Sequence, residues 1–213
     1  MKLTLHTFLS IDGVMQGPGG PDEDRSGGFE KGGWVVPFVD EEFGSLVSSW
    51  FAQTDEVLFG RTTYDMMHTF WSTVTDPDDL VAAKLNGRPK HVVSRSLRDA
   101  LWQNTSVISG DVIAAVEQLK GKPGGELQVH GSCGLAHTLH DAGLIDEYRL
   151  VIFPVVIGSG KRLFPDGSIP GSFTVASSTV TSQGAVALNL RPAGSVGVGD
   201  FEVVDGKEVI RTA

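Results

Sequence analysis

Three short stretches carry groups that could grip an anion, and each follows a run that reads as a buried strand. Gly60-Arg61-Thr62-Thr63 follows Val57-Leu58-Phe59, and Ser94-Arg95 follows His91-Val92-Val93. His130-Gly131-Ser132-Cys133-Gly134 follows Leu127-Gln128-Val129. An arginine offers a phosphate a fork of donors, and threonine hydroxyls with backbone N–H groups complete such a shell. A small-residue turn lets a ligand approach the backbone, and the first N–H groups of a following helix lack intrahelical partners. Plain accounts also exist: the glycine turn can serve packing, and Thr62 or Thr63 can simply cap a helix, which leaves Arg61 unexplained. Two acids complete the reactive set. Asp12, in Ser10-Ile11-Asp12-Gly13, is a candidate for protonating or orienting a substrate and equally an Asx-turn residue. Asp40, ahead of Glu41 and Glu42, is the second candidate and also suits a helix cap. Trp34, set among glycines, is a candidate wall for a substrate pocket.

The elements that must position these groups follow from periodicity. Leu3, Leu5, Thr7 and Leu9 alternate with Thr4, His6, Phe8 and Ser10, predicting a first strand with two faces. His6 reads as a satisfied, half-buried structural histidine. Residues 13–38 hold eight glycines and three prolines. So long an irregular segment is usually a functional loop or a disordered one. Trp34, Val35, Val36 and Phe38 favour a loop that packs, with residues 16–38 bordering the substrate side. Asp40 then caps a helix whose stripe is Phe43, Leu46, Val47, Trp50 and Phe51. Further helices are expected after Gly60, from Asp76-Pro77 to Gly87, from Asp111 to Gly121, and from Leu135 to Gly143. Strands are expected over 105–109 and 148–157, with hairpins at 173–191 and at 201–210 around Asp205-Gly206. Strands alternating with helices predict an α/β fold: a mainly parallel sheet covered on both faces, with an antiparallel edge. Ligands gather at the carboxyl ends of such strands, where all three anion-gripping turns fall, and their convergence points to a dinucleotide.

Composition narrows the partners. The chain has 213 residues, 40% apolar and 20% charged, with net charge −9. This describes one large globular domain and argues against non-specific nucleic-acid binding. An anionic ligand therefore needs a local basic pocket. Cys133 is the single cysteine, so an internal disulfide and a Cys-x-x-Cys zinc site are excluded. His137 and His140 stand three apart, but with no carboxylate at ligand spacing no metal is expected. Neither a signal-like apolar run nor an 18-residue apolar stretch occurs, so a cytoplasmic location without membrane contact is expected.

Ser10-Ile11-Asp12-Gly13, Gly60-Arg61-Thr62-Thr63-Tyr64, Val93-Ser94-Arg95, Gly131-Ser132-Cys133-Gly134, Ile145-Asp146-Glu147 and Pro154-Val155-Val156-Ile157-Gly158-Ser159-Gly160 occur in this order. Together they resemble the dihydrofolate-reductase-like family, close to the reductase domain of the bifunctional riboflavin-biosynthesis deaminase-reductase. The likeness spans roughly residues 1–192, leaving 193–213 as an extension that forms a hairpin. It implies a three-layer α/β/α fold with a mixed eight-stranded sheet, NADPH across the strand ends, and a homodimer. By resemblance, Gly60, Arg61, Thr62, Thr63, Ser94 and Arg95 serve the adenosine 2′-phosphate side. Gly131, Ser132, Gly134 and Leu135 serve the pyrophosphate and nicotinamide side. The acid on which folate reductases rely has no clean counterpart, and no zinc-deaminase signature occurs.

Two functions compete. One is an NADPH-dependent reductase of a small heterocyclic or carbonyl substrate, riboflavin-pathway-like or pterin-like, with Asp12 and Asp40 as its acids. The alternative is a nucleotide-binding sensor or assembly protein without turnover. In either case a homodimer is expected, formed through the apolar strand 148–157 and the hairpin 173–191.

Overall fold

The computed structural model describes residues 1–212. Its strands are β1 (Lys2–Ser10), β2 (Thr54–Gly60), β3 (Lys90–Val93), β4 (Thr105–Ile108), β5 (Glu126–His130), β6 (Glu147–Phe153), β7 (Phe173–Val180), β8 (Val186–Pro192), β9 (Gly199–Val204) and β10 (Lys207–Thr212). Its helices are α1 (Glu41–Ala52), α2 (Arg61–Trp71), α3 (Leu80–Gly87), α4 (Val112–Lys120) and α5 (Cys133–Asp141). Eight strands form one sheet in the order β4-β3-β2-β5-β1-β6-β8-β7. The first six are parallel, and β8 and β7 close it antiparallel. This is the mixed, mostly parallel α/β sheet that the alternation of elements predicts.

Burial explains the layers. Leu58 of β2 packs with Val116 and Leu119 of α4 and Leu135 and Leu139 of α5. Val57 and Phe59, pointing the other way, pack with Phe51 of α1, Tyr64 of α2 and Leu85 of α3. Helices α1–α3 therefore cover one face and α4–α5 the other, as period-two alternation along each buried strand requires.

The face under α1 is unusual because its strands present polar groups there. His6, Glu126, Gln128, His130, Glu147 and Arg149 are all more than nine-tenths buried. Gln128 Nε2 donates to the carbonyl of Trp50 at 2.8 Å and to Glu126 at 2.7 Å, and Arg149 forks onto Glu126 at 3.0 and 2.5 Å. Arg149 Nε also reaches Glu147 at 3.0 Å. His130 stacks on Phe51 at 4.4 Å and bonds Gln128 Oε1 at 3.1 Å. His6 is buried rather than half-buried; its Nε2 bonds Thr4 Oγ1 at 2.8 Å, but among the described residues its Nδ1 has no hydrogen-bond partner, so it is only half-satisfied.

Two boundaries and one placement differ from the sequence expectation. The third helix begins at Leu80 rather than at Pro77, because Asp79 accepts from Ala82 N at 2.9 Å while Asp76 folds a turn onto Asp78 N. Strand β6 stops at Phe153, where Pro154 cannot continue the ladder. It also lies inside the sheet between β1 and β8, so it offers no edge to a second copy; the sheet's edge strands are β4 and β7.

The terminal hairpin β9–β10 forms a separate two-stranded sheet turning at Asp205 (φ 51°) and Gly206 (φ 74°). Two successive positive φ values suit the tight hairpin turn expected of Asp-Gly. Ala213, the last residue of the expected 193–213 extension, lies outside the described residues. Among the described residues no helix is long and apolar enough to cross a membrane.

Candidate functional site

Parallel pairing brings the carboxyl ends of β3, β2, β5, β1 and β6 to one rim in that order. The chain leaves β2 towards the α1–α3 face and leaves β5 towards the α4–α5 face, so a crevice opens where these neighbouring strands part. There the two glycine turns meet. Gly60 N donates to Ser132 Oγ at 3.0 Å, and a Cβ on Gly131 would stand 3.9 Å from the Thr63 methyl. Gly131 and Ser132 both take left-handed backbone, with φ 57° each. That conformation is uncommon for serine, and it aims the chain sharply from β5 into α5.

Helix capping separates this crevice from the rest of the fold. Asp40, Asp79 and Asp111 cap α1, α3 and α4 with their carboxylates. Helices α2 and α5, which start at the crevice from Gly60 and Ser132, have no side-chain cap. Their opening N–H groups, from Arg61, Thr62 and Thr63 on one side and Cys133, Gly134 and Leu135 on the other, stay available to an anion. Leu135 contributes only its backbone, since its side chain belongs to the core.

The flanking groups vary in freedom. Arg61 is paired through Nε with Asp65 at 2.7 Å, and its side chain is 40% exposed. Arg95 is exposed. Ser94 is buried, and its Oγ accepts from Leu97 N at 3.0 Å, shaping the turn that presents Arg95. Ser94 is thus a turn former more than a free ligand.

Both acids are occupied as acceptors. Asp12 accepts from Ile157 N at 3.0 Å, Gly158 N at 2.8 Å and Ser10 Oγ at 2.7 Å, with Arg162 at 3.5 Å. The Ile157 N–H and the Ser10 hydroxyl hold its carboxyl far below the usual range, so it is ionised at neutral pH. Asp12 latches the loop after β1 to the loop after β6, and donating a proton is outside its reach. Asp40 caps α1 through Phe43 N at 2.7 Å and bonds Ser182 Oγ and Gln183 N at 3.0 and 3.1 Å. The Phe43 N–H chiefly holds it below its ordinary range. Trp34 is not a pocket wall: it is buried edge-on against Phe153, 5.8 Å between centroids, and donates Nε1–H to Gln16 O. The loop around it packs Phe29 and Val35 into the same core.

An apolar cleft of 510 Å³, invisible in the sequence, lies between α1 and the approach to α3. Phe8 and Phe43, edge-on to each other, line it with Val47, Trp71, Leu80 and Val81. Gly44 sits in its lining with open space around the position a Cβ would take. Its residues come from β1, α1, α2 and α3, and no local motif announces it.

Residues 1–187 match the family model described as the RibD C-terminal domain. The chain is 27% identical over 189 residues to the uncharacterized protein YyaP of Bacillus subtilis, covering 88% of this chain and 93% of that one. A candidate riboflavin-biosynthesis protein from Shewanella sp. PV-4 superimposes with TM-score 0.64 at 21% identity, over 91% of this chain and 99% of that one. A pyrimidine reductase-like protein from Corynebacterium diphtheriae superimposes with TM-score 0.61 at 14% identity, over 90% and 92%. These structural likenesses are likenesses of fold, and the family model, matched across the sheet and both glycine turns, makes this chain a member of the RibD C-terminal domain family.

Proposed function

We propose that the protein is an NADPH-dependent reductase of a small heterocyclic or carbonyl substrate. The observation that carries this reading is the pair of uncapped helix starts, α2 and α5, facing one crevice while each other helix is capped by aspartate. A pyrophosphate suits two converging helix N-termini because each supplies free N–H groups and positive dipole. Gly131 and Gly134 leave room for the backbone to approach it. Arg61 and Arg95, with Thr62 and Thr63, suit the 2′-phosphate beyond. When bound, the nicotinamide would supply the hydride; the chain orients it, excludes water and holds the substrate. The apolar cleft behind Phe8 and Phe43 suits a flat heterocycle, with the Asp12 latch keeping the neighbouring rim loops in place. A homodimer is part of the same reading, supported by the open β7 edge.

The test adds a competing carboxylate. Gly134→Asp places an acid in the first turn of α5, where it should favour the helix and repel a phosphate. We expect unchanged or raised melting temperature with NADPH binding weakened at least tenfold, read by cofactor fluorescence. Equal affinity in the variant would sink the proposed pyrophosphate position.

The occupation of both Asp12 and Asp40 favours a second reading, a nucleotide-binding sensor without turnover. Incubation with NADPH and a panel of pyrimidines, pteridines and carbonyl compounds separates the two. Tight binding without any NADPH oxidation would favour the sensor.

A further inference from the structure

The terminal hairpin is out of place in a folded monomer. Eleven of its twelve strand residues are exposed, and none belongs to a core cluster. An isolated two-stranded ribbon is marginal in water, so it needs a surface to lie on. Its register decides which face needs covering. Phe201 pairs with Ile210 and Val203 with Glu208, so Phe201, Val203 and Ile210 share one face, exposed by 69%, 77% and 68%. Glu208 is the one charge on that face, and Asp200, Glu202, Lys207 and Arg211, with Val204 and Val209, occupy the other. The hairpin also lies beyond residue 187, where the family match ends, so the fold itself does not require it.

The sheet offers a surface of the opposite kind. Strand β7 is eight residues long, has one unpaired edge and is exposed after its first residue. Natural edges are usually guarded by charge or proline, yet Phe173 to Val180 contains neither. On the α5 side the β7 edge shows Val175 and Val180, 55% and 64% exposed. On the α1 side it borders a polar groove of 420 Å³ where Lys2, Arg149 and Arg191 surround Glu147.

Resting on the homodimer reading above, we propose that hairpin 199–212 of each protomer docks as an arm along the open β7 edge of a second copy. Laid there as a continuation of the sheet, the apolar face of the arm joins Val175 and Val180, and its charged face borders the groove. The charges agree. The arm carries Asp200, Glu202, Asp205 and Glu208 against Lys207 and Arg211, a net of −2. Residues 172–192 carry one charge, Arg191, on a chain of net −9, so this is a face an acidic arm can approach. The areas agree too. Phe201, Val203 and Ile210 expose roughly 400 Å² per arm, and two reciprocal arms with their receiving surfaces remove about 1,600 Å², the size of a stable specific interface. The exchange is self-complementary and closes after two copies, which blocks further growth along the β7 edge.

The test uses full-length chains at micromolar concentration in light scattering. We expect wild type to be a dimer. F201E/I210E, altered in the arm, and V175K/S177P, altered in the edge, should each be monomers with at least 100-fold weaker association. Each should retain its far-ultraviolet dichroism and NADPH affinity, since neither pair lies at the rim. Mixing the two variants should restore dimers, because the pair keeps one intact arm and one intact edge. A monomeric wild type would overturn the homodimer reading and the arm together. A dimer that survives both substitution pairs would overturn the arm alone, as would two monomeric variants that fail to associate when mixed.

Discussion

Arg95 and Arg61 are not equivalent, and the difference can be measured. A chain of net charge −9 repels the 2′-phosphate unless local cations reverse the field. Arg61 already shares its charge with Asp65, whereas Arg95 is exposed at the tip of its turn. A charge-assisted contact contributes about 1.5–3 kcal/mol, and solvent exposure pulls this to the lower end. Arg95→Ala should therefore weaken NADPH binding roughly tenfold, and Arg61→Ala less, with NADH nearly unaffected in both. Calorimetric titration of both cofactors checks this, and equal losses for NADH would make the arginines structural. The buried histidines set a second expectation. Burial, chiefly, holds His130 down to about 3, and His6 well below its ordinary value. The folded state stays neutral where the unfolded chain takes up protons, so stability is lost as pH falls below about 6.5. Each histidine contributes to that loss, which ends near pH 3 for His130. Urea midpoints between about pH 7 and about pH 5 should fall steeply in wild type and about half as steeply in His130→Phe, which keeps the stack on Phe51. Parallel curves for the two would refute the assignment.

At the scale of elements, the apolar cleft is where substrate selection should reside. Gly44 lies on α1 with free space at its Cβ position, so Gly44→Leu should fill the cleft without strain and relieve the cost of a helical glycine, about 1 kcal/mol. We expect KM for the best substrate of a heterocycle panel to rise at least tenfold while NADPH affinity stays level. An unchanged KM would move the substrate elsewhere. The sequence made the strands, the glycine turns and the capped helices legible because each has a local signal: alternation, a required backbone conformation or an aspartate at the right step. The cleft has none, since Phe8, Phe43 and Trp71 meet only through tertiary packing. The same limit explains Trp34 and Asp12. A tryptophan among glycines and an acid in a turn look reactive in the sequence, and only the fold shows Trp34 sealed against Phe153 and Asp12 spent on the amides of Ile157 and Gly158. Strand 148–157 reads as an interface for the opposite reason, because an apolar run looks alike whether it ends at an interface or between two strands, where β6 lies.

For the whole molecule, charge and cofactor preference are coupled. Added salt screens the local attraction of the arginines for the 2′-phosphate, so the ratio of NADH to NADPH dissociation constants should shrink as salt rises. Titrations in dilute and in molar salt would expose a constant ratio, which would place the preference in shape rather than charge. The polar floor beneath α1 bears on the same economy of motion. A helix lying on hydrocarbon can slip by part of a turn at little cost, because one methyl replaces another. Helix α1 lies instead on directional bonds: Gln128 holds the Trp50 carbonyl, and His130 stacks on Phe51. Slippage would break both at once. The helix behaves as a key in a cut lock, and its other end, which carries Phe43 and Gly44, inherits that fixed register. The cleft is therefore held open at one setting by contacts made at the opposite end of the same rod.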